Sequence, residues 1–264
     1  MTGVLVLQLD ASDPVGRLGD WLVAAGLDLD VRALNAGDPA PADLSGHAGL
    51  VVLGGSMSAN DREPSYLEQT RSLLRAAVSD EVPTLGVCLG GQLLAVANGG
   101  RVEVAEAPEV GAQLVAKRSA AAEDPLFGPL PITPDVLQWH FDEITVLPVG
   151  AVQLASSPGC EQQAYRLGRL AWGLQFHIET TPETVREWAL EDAQTLADYD
   201  LDRILERATK AHADIAETWQ PFAARFADVV REPDSVQFAP QVIDPVRAAT
   251  MSLAAELRAS RGHD

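Results

Sequence analysis

One stretch of the chain, residues 82–100, restricts the fold more than any other. It begins with a short apolar run, residues 82–87, of the kind that forms a buried parallel strand. Cys88 follows directly, and an apolar segment with helical spacing then runs to Gly99 and Gly100. The pattern predicts a strand, a sharp turn and a helix, which is the arrangement that exposes a nucleophile on an α/β sheet. The unpaired N–H groups and the positive dipole end of that helix favour a thiolate over a thiol.

Strands and helices alternate in the part of the chain before this stretch. Apolar runs predict three strands, at residues 3–9, 27–34 and 49–53. Asp13 and Pro14 are predicted to cap a first helix that ends at Gly26, and a second helix is predicted at residues 64–78. This order predicts an α/β fold with a doubly wound, mostly parallel sheet and right-handed crossovers.

Beyond Gly100 the pattern changes to short alternating strands separated by turns rich in Pro and Gly. The predicted strands are residues 101–104, 113–117, 136–139, 152–156 and 163–167. They predict an antiparallel extension that returns the chain to the main sheet at residues 170–176. Thr181 is then predicted to cap a helix that reaches about Ala197.

The rest of the chain predicts a helical tail, so we expect a domain at residues 1–197 and an extension at 198–264. Apolar residues recur at three-and-four spacing over residues 204–226, with Pro221 as a kink. A further helix with an apolar stripe is predicted at residues 246–257. Large apolar faces are unfavourable in water, so these helices are expected to pack on the domain or on another subunit. A homodimer and a synthetase contact therefore both stay open.

Composition excludes several classes of partner. The 264 residues contain 19 Lys and Arg against 38 Asp and Glu, a formal net charge of −19, which argues against nucleic acid as a partner. No apolar run approaches the roughly 18 residues of a membrane span. The first residues predict a strand rather than a signal peptide. The two cysteines, Cys88 and Cys160, form no disulfide framework, and a reactive thiol suits a reducing, cytoplasmic location.

Two motifs carry a family resemblance. Residues 86–92, Gly-Val-Cys-Leu-Gly-Gly-Gln, resemble the G-x-C-x-G-x-Q elbow of class I (triad-type) glutamine amidotransferases. Residues 172–179, Trp-Gly-Leu-Gln-Phe-His-Ile-Glu, are similar to the G-x-Q-F-H-P-E signature of that family, with Ile178 where proline is usual. The resemblance extends over residues 1 to about 197 and implies a flavodoxin-like sheet in a stand-alone amidotransferase or γ-glutamyl hydrolase.

The resemblance implies a catalytic triad for the deamidation of glutamine. This reaction needs a thiolate, a proton carrier and a group that orients the carrier, and Cys88, His177 and Glu179 match these roles in turn. Glu179, two residues after the histidine, can lie on the same side of an extended segment. A buried structural thiol is the alternative for Cys88. His140 is the rival candidate for the base.

The resemblance also implies an oxyanion hole and substrate contacts. Gly54 and Gly55 stand where a Gly-Gly turn supplies a backbone donor, and the amide of Leu89 would supply the other. Gln92 matches the motif glutamine that helps to hold the substrate. His140 lies where relatives carry an S-H-G-D-like segment that binds the α-carboxylate, although the serine and glycine are absent here. No residues show metal-ligand spacing and no cofactor fingerprint occurs, so neither a metal nor a cofactor is expected.

These observations predict a cysteine-dependent hydrolase that cleaves the γ-glutamyl amide of glutamine through a thioester. No synthetase module is fused in the sequence, so we expect the ammonia to pass to a separate synthetase subunit in trans. Two alternatives stay open. One is a γ-glutamyl peptidase that acts on γ-glutamyl peptides or conjugates, and the other is a non-catalytic binding module of the same fold.

Overall fold

The computed structural model describes residues 3–236, which form one large sheet and a separate two-stranded ribbon. The strands of the large sheet are β1 (Gly3–Gln8), β2 (Asp28–Ala33), β3 (Gly49–Val52), β4 (Thr84–Val87), β6 (Ala116–Lys117), β8 (Val152–Ser156), β9 (Ala164–Leu167) and β10 (Ala171–Leu174). The ribbon strands are β5 (Arg101–Leu114) and β7 (Asp135–Val146). The α-helices of these residues are α1 (Gly16–Ala24), α2 (Tyr66–Ser79), α3 (Leu89–Ala97), α4 (Pro182–Glu191) and α5 (Leu201–Arg231).

The large sheet confirms the predicted doubly wound α/β fold. Its strands lie in the order β2-β1-β3-β4-β10-β9-β8-β6. The pairs from β2 to β10 are parallel, and β9, β8 and β6 continue the sheet in antiparallel order. The central strands β3, β4 and β10 are buried along their whole length. Strands that are covered on both faces are expected to be mainly apolar along their whole length, which explains the short apolar runs in the sequence.

The antiparallel extension is present, but two of its strands are much longer than predicted. β5 joins the predicted strand at residues 101–104 to the first two residues of the one at 113–117, whose last two residues form β6. β7 continues to Val146 instead of ending at Trp139. The two strands pair with each other across a register shift between Val104 and Glu109. The irregular pairing at this shift interrupts the alternation of residues along the strand, so one continuous strand pattern is not visible in the sequence.

The first helix begins later than predicted. α1 starts at Gly16, and its N-cap residue Val15 makes no side-chain cap, so the prediction that Asp13 and Pro14 cap this helix is wrong. Gly16 has a φ of +47°, and a side chain there would clash with the carbonyl oxygen of Glu179. The next amide, that of Arg17, donates to the same oxygen at 2.9 Å. The start of the helix is thus set by close backbone packing against residue 179.

The helix after β10 begins as predicted and ends early. The amide of Thr184 donates to Thr181 Oγ1 at 3.3 Å, which confirms Thr181 as the cap of α4. The helix ends at Glu191 rather than near Ala197. A short turn region then leads to α5, which begins at the capping residue Asp200.

Helix α5 packs its apolar stripe on the domain itself. Pro221 lies inside the helix without ending it. The buried side chains of α5 include Ala208, Ile215, Trp219, Phe222 and Phe226. They belong to the same core cluster as strands β4 and β10, and Trp219 Nε1 donates to the carbonyl of Asp135 at 2.8 Å. Own-domain packing, one of the two expected options, therefore accounts for this stripe.

Two further observations concern the tail. The helix predicted at residues 246–257 lies outside the described residues. Within residues 3–236, no helix combines the length and the apolar character needed to cross a bilayer.

Shortening one buried side chain of α5 tests this packing. Ile215 is 1% exposed, so Ile215→Ala should lower the free energy of unfolding by about 2–5 kcal/mol through lost burial and a residual cavity. Leu190→Ala is the matched control, because Leu190 is 74% exposed on α4 and should change the value by less than about 0.5 kcal/mol. Urea unfolding of the two variants measures both effects. Equal effects would contradict the packing of α5.

Candidate active site

Cys88 lies at a tight turn between β4 and α3. Its backbone is strained, with φ +49° and ψ −110°, and it immediately precedes the first helical residue, Leu89. A side chain on Gly90 would clash with the carbonyl of Val52, and one on Gly91 would lie 2.6 Å from the carbonyl of Leu174. Only glycine fits both positions, because the helix enters directly against the backbone of β3 and β10. This is the strained strand-to-helix turn that holds a nucleophile at the edge of a sheet.

His177 and Glu179 follow β10 and reach the same edge. The chain leaves the sheet there and pairs with β7: the amide of His177 donates to the carbonyl of Leu137 at 2.8 Å, and the carbonyl of His177 accepts from the amide of Leu137 at 3.3 Å. His177 Nδ1 lies 2.6 Å from Glu179 Oε1. A carboxylate oxygen accepts, so Nδ1 carries the proton.

The residue between them fixes the carboxylate. The amide of Ile178 donates to Glu179 Oε2 at 2.8 Å. Proline, the residue expected at this position from the family signature, has no N–H and could not make this bond. The departure from the signature therefore adds a second hydrogen bond that orients Glu179.

The charges around His177 favour its protonated form. Burial by itself opposes the imidazolium, but the negative charges of Glu179 and Cys88 outweigh burial and raise the pKa of His177 well above its usual value. The sulfur of Cys88 lies 3.9 Å from the carbonyl oxygen of Trp139 and 3.9 Å from Gln175 Nε2. Because Nδ1 is bonded to Glu179, Nε2 is the ring nitrogen of His177 that remains for Cys88. The cysteine, the histidine and the glutamate are all buried, and Cys88 and His177 line the same cavity.

The second cysteine has a different environment. Burial, together with the negative charges of Glu109 and Glu143, raises the pKa of Cys160 to about 12. This thiol therefore stays protonated near neutral pH, and Cys160 is not among the residues that line the cavity of Cys88.

His140 lines the cavity with both ring nitrogens already engaged. Nδ1 lies 3.0 Å from the carbonyl of Asp142, and Nε2 lies 3.2 Å from Glu109 Oε2. The carboxylate of Glu109 also accepts from Ser157 Oγ at 2.8 Å and from Gln163 Nε2 at 2.6 Å. These bonds hold His140 as part of the cavity wall and leave neither nitrogen free to move a proton to Cys88.

The same residues form a grouping that the sequence did not indicate. Ligand atoms of Glu109, His140 and Cys160 all lie within 4.8 Å of one another. The three residues come from β5, β7 and the turn before β9, so no linear spacing reveals them. The hydrogen bonds of Glu109 and His140 account for their placement without an ion.

The expected oxyanion and substrate residues surround Cys88. Gly55 lines the cavity beside the Leu89 side chain, whose Cδ2 would lie 3.1 Å from a Cβ at position 55. Gly54 lies where a side chain would clash with Asp13 and approach His177. Gln92 also lines the cavity.

The side chain of Gln92 is committed to the cavity wall. Its Nε2 donates to the carbonyl of Asp142 at 3.0 Å and to Gln175 Oε1 at 3.3 Å. The carbonyl of Asp142 therefore accepts from Gln92 and His140 together. Ser58 Oγ donates to the Asp142 carboxylate at 2.8 Å. The wall is thus held from three sides.

The cavity above Cys88 has a volume of about 250 Å³. It lies at the carboxyl ends of the parallel strands, where open α/β sheets bind ligands. Its lining is Ser12, Asp13, Gly55, Ser56, Met57, Ser58, Cys88, Gln92, Trp139, His140, Phe141, Asp142, His177, Trp188, Glu191 and Asp192.

Asp13 is a site residue that sequence analysis missed. It is buried next to His177 and Gly54, and it accepts from Ser12 Oγ at 3.1 Å. Burial raises the pKa of Asp13 to about 6, while the positive charge of His177 opposes the shift and the negative charge of Glu179 adds to it. Its place just after β1, at the carboxyl edge of the sheet, was the available signal.

Two tryptophans and an aspartate form the wall beside His177. The Trp188 ring centroid lies 4.6 Å from that of His177 and 6.0 Å from that of Trp139. Trp139 Nε1 donates to Asp192 Oδ2 at 2.8 Å, and Trp188 Nε1 donates to the carbonyl of Ser12 at 2.9 Å. Since both indole N–H groups are bonded, these residues present ring surface to the cavity. None of this wall was predicted, because it joins β7, α4 and the loop after β1.

The ionisation of Asp13 should destabilise the protein as pH rises. A carboxyl whose pKa is raised in the folded state favours folding at low pH, and this advantage is lost as pH rises from about 4 to 6. Asp13→Asn imitates the neutral acid, so the variant should not lose this stability. The free energy of unfolding of the variant minus that of the wild type should therefore be about 3 kcal/mol larger at pH 7 than at pH 4. Urea unfolding of both proteins across this range measures the difference. If the free energies of unfolding of the two proteins change with pH in the same way, the raised pKa of Asp13 is contradicted.

Comparison with known proteins identifies the family. Residues 17–194, more than half of the chain, match the family described as Glutamine amidotransferase class-I. The chain belongs to this family. The matched segment contains the Cys88 elbow and the His177 and Glu179 signature, which confirms the resemblance seen in the sequence, and it begins after Asp13.

Individual members of the class I glutamine amidotransferases are similar over most of the chain. A putative glutamine amidotransferase-like protein, YfeJ, of Salmonella typhimurium is 27% identical over 208 residues, covering 77% of this chain and 87% of YfeJ. A glutamine-hydrolyzing GMP synthase subunit of Thermoplasma acidophilum is 32% identical over 161 residues, covering 61% of this chain and 76% of that relative. Longer GMP synthases also match, and the chain spans about a quarter of their length, 26% in one case.

A solved structure gives the same result for the amidotransferase fold. The crystal structure of a glutamine amido transferase from Methylobacillus flagellatus matches with a TM-score of 0.76 and 30% sequence identity. The match covers 92% of this chain and 98% of the Methylobacillus chain.

Proposed function

We propose that this class I amidotransferase hydrolyses the γ-amide of glutamine to glutamate and ammonia through a thioester on Cys88. The observation that supports it is the buried hydrogen-bonded pair of His177 and Glu179 on the same cavity as Cys88, which stands at a strained turn. A non-catalytic module of the same fold has no need of a histidine whose pKa is raised by a thiol and a carboxylate.

The proposed acylation step uses each of these three residues. The Cys88 thiolate attacks the amide carbon, and the C=O electron pair moves onto the oxygen, where the Leu89 amide and the Gly54–Gly55 backbone stabilise the charge. The oxyanion then reforms the carbonyl, and the C–N bond breaks. The His177 imidazolium gives its proton to the departing nitrogen, which leaves as ammonia. Glu179 holds the ring with Nε2 towards the reacting atoms.

Hydrolysis of the thioester reverses the proton path. Neutral His177 takes a proton from water, and the resulting hydroxide attacks the thioester carbon. The C–S bond then breaks, and glutamate leaves while the thiolate and the imidazolium are restored. No metal or cofactor takes part in this scheme.

Gln92 and His140 are proposed to form the glutamyl side of the site. Both bond to the carbonyl of Asp142 and so fix one wall of the cavity. We propose that this wall binds the amino-acid end of the substrate.

The fate of the product is a separate part of the proposal. The relative from Thermoplasma acidophilum is named as one subunit of a glutamine-hydrolyzing GMP synthase. By analogy, a synthetase subunit in trans is proposed to accept the ammonia. Cys88 and Cys160 are both free thiols, which supports a reducing, cytoplasmic compartment.

Replacing the nucleophile should abolish turnover. Cys88→Ala and Cys88→Ser change little volume, so the melting temperature should stay close to that of the wild type, while glutamate release falls by at least about 10³-fold. A glutamine-mimicking electrophile followed by peptide mass spectrometry should label Cys88 and spare Cys160. Retained activity in Cys88→Ala, or label mainly on Cys160, would refute the assignment.

Replacement of the two candidate bases, His177 and His140, should change different kinetic constants. His177→Ala should lower kcat by at least about 10³-fold, because it removes the only proposed proton carrier. His140→Ala should act mainly by raising KM, since it loosens the wall. Glu179→Gln should lower kcat less than His177→Ala does, because it removes an orienting group. If His140→Ala proves the lethal change, the base must be reassigned.

A further inference from the structure

The proposed proton transfer locates the leaving group within the cavity. His177 must reach the departing nitrogen, so whatever is attached to that nitrogen lies on the His177 side of Cys88. The cavity lining there consists of the Ser12–Asp13 turn and the end of α4, with Trp188, Glu191 and Asp192. We call this set the leaving-group side. Ammonia from glutamine would leave it empty.

Carboxyl groups predominate on the leaving-group side. Asp13, Glu191 and Asp192 contribute three of them, and within residues 3–236 no lysine or arginine lines the cavity, so on this side only the His177 imidazolium opposes them. An excess of one sign of charge, bounded by protein walls, concentrates the opposite charge. A group bound here is therefore expected to be cationic.

Two of these acids stand at a helix end that disfavours them. Glu191 is the last residue of α4 and Asp192 is its C-cap, and the last turn contains no basic residue. The negative end of the helix dipole disfavours acidic side chains at this place and favours Lys or Arg. The general acidity of the chain does not account for Asp192, which is fixed towards the cavity by the bond to Trp139 Nε1 at 2.8 Å. The negative charges of Glu191 and Asp192 are therefore unfavourable next to the helix dipole, and both residues line the cavity.

The remaining wall suits an alkyl ammonium. The Trp139 and Trp188 rings lie 6.0 Å apart at 43° and offer apolar, electron-rich surface next to the carboxylates. Aromatic rings attract ammonium groups, and their surface packs against methylene groups. In a short carbon chain that ends in a charged amine, the methylene groups would pack against the two tryptophan rings and the terminal ammonium would contact the carboxylates.

We propose that the leaving-group side binds the distal ammonium of a γ-glutamyl conjugate of a diamine or polyamine, which makes such conjugates the preferred substrate class. The inference rests on the proposed function and uses the same chemistry. Cys88 forms the thioester, the γ-glutamyl C–N bond breaks, and His177 protonates the departing amine. Water then releases glutamate. One water is consumed for each amide cleaved.

A matched substrate series tests the proposal. Four γ-glutamyl amides are compared with the full chain at low salt: glutamine, γ-glutamyl-putrescine, the neutral γ-glutamyl-n-pentylamide and the anionic γ-glutamyl-5-aminopentanoate. The last three share a four-carbon spacer and differ in terminal charge. We expect kcat/KM for the cationic amide to exceed that of the neutral one by at least about 10-fold, with the anionic amide slowest. The preference should shrink at about 1 M salt, where charges are screened within about 3 Å.

Charge-neutralising variants link the preference to the named acids. Glu191→Gln and Asp192→Asn should each lower the ratio of cationic to neutral kcat/KM by about 3- to 10-fold, and Asn keeps an acceptor for Trp139. Glu187→Gln is the control, because Glu187 is exposed on the same helix and does not line the cavity. It should leave the ratio unchanged.

The outcomes separate the two proposals. Hydrolysis without charge preference, a preference for the neutral or anionic amide, or a ratio that the two variants leave unchanged would overturn the inference alone. Failure to hydrolyse any of the four amides, together with no labelling of Cys88 by a glutamine-mimicking electrophile, would overturn the proposed function and the inference with it.

Discussion

The site depends on the close approach of helix α3 to the backbone of two neighbouring strands. Gly90 and Gly91 lie against the carbonyls of Val52 and Leu174, and any side chain there would push the helix away from the sheet. This contact sets the position of Cys88 and forces its left-handed backbone. Such strain persists only where the surrounding structure over-determines it, and here the buried strands β3, β4 and β10 do so.

The histidine depends on a second backbone contact that is remote in sequence. His177 pairs with Leu137 of the long ribbon strand β7, and the carbonyl of Glu179 accepts from Arg17 at the start of α1. The proposed proton carrier is therefore held by backbone on either side, while the Ile178 amide and the Nδ1 proton hold the carboxylate of Glu179. The side chains are oriented by groups that cannot easily move, as catalysis by preorganised groups requires.

Local patterns predicted the parts of the site that lie within one supersecondary unit. The Cys88 elbow is a single strand, turn and helix, and the His177–Glu179 pair is one extended segment, so both were visible in the sequence. Asp13 was misassigned as a helix cap because Asp before Pro has a strong local preference that the packing of Gly16 against Glu179 overrides. The Trp139–Asp192 contact joins residues far apart in the chain, and no periodicity reports such a contact.

Departures from local rules gather on one side of the cavity. Asp13 is a buried carboxyl whose ionised form is disfavoured, and Glu191 and Asp192 sit at the helix end that disfavours them. Each of these choices costs stability that a neutral or basic residue would spare, although Asp13 accepts a hydrogen bond from Ser12 and Asp192 accepts one from Trp139. Residues that lower stability without a packing reason are expected where they bind something. In the proposed scheme, the side of the cavity away from the glutamyl wall sets specificity among γ-glutamyl amides, because the proposed triad itself cannot distinguish one leaving amine from another.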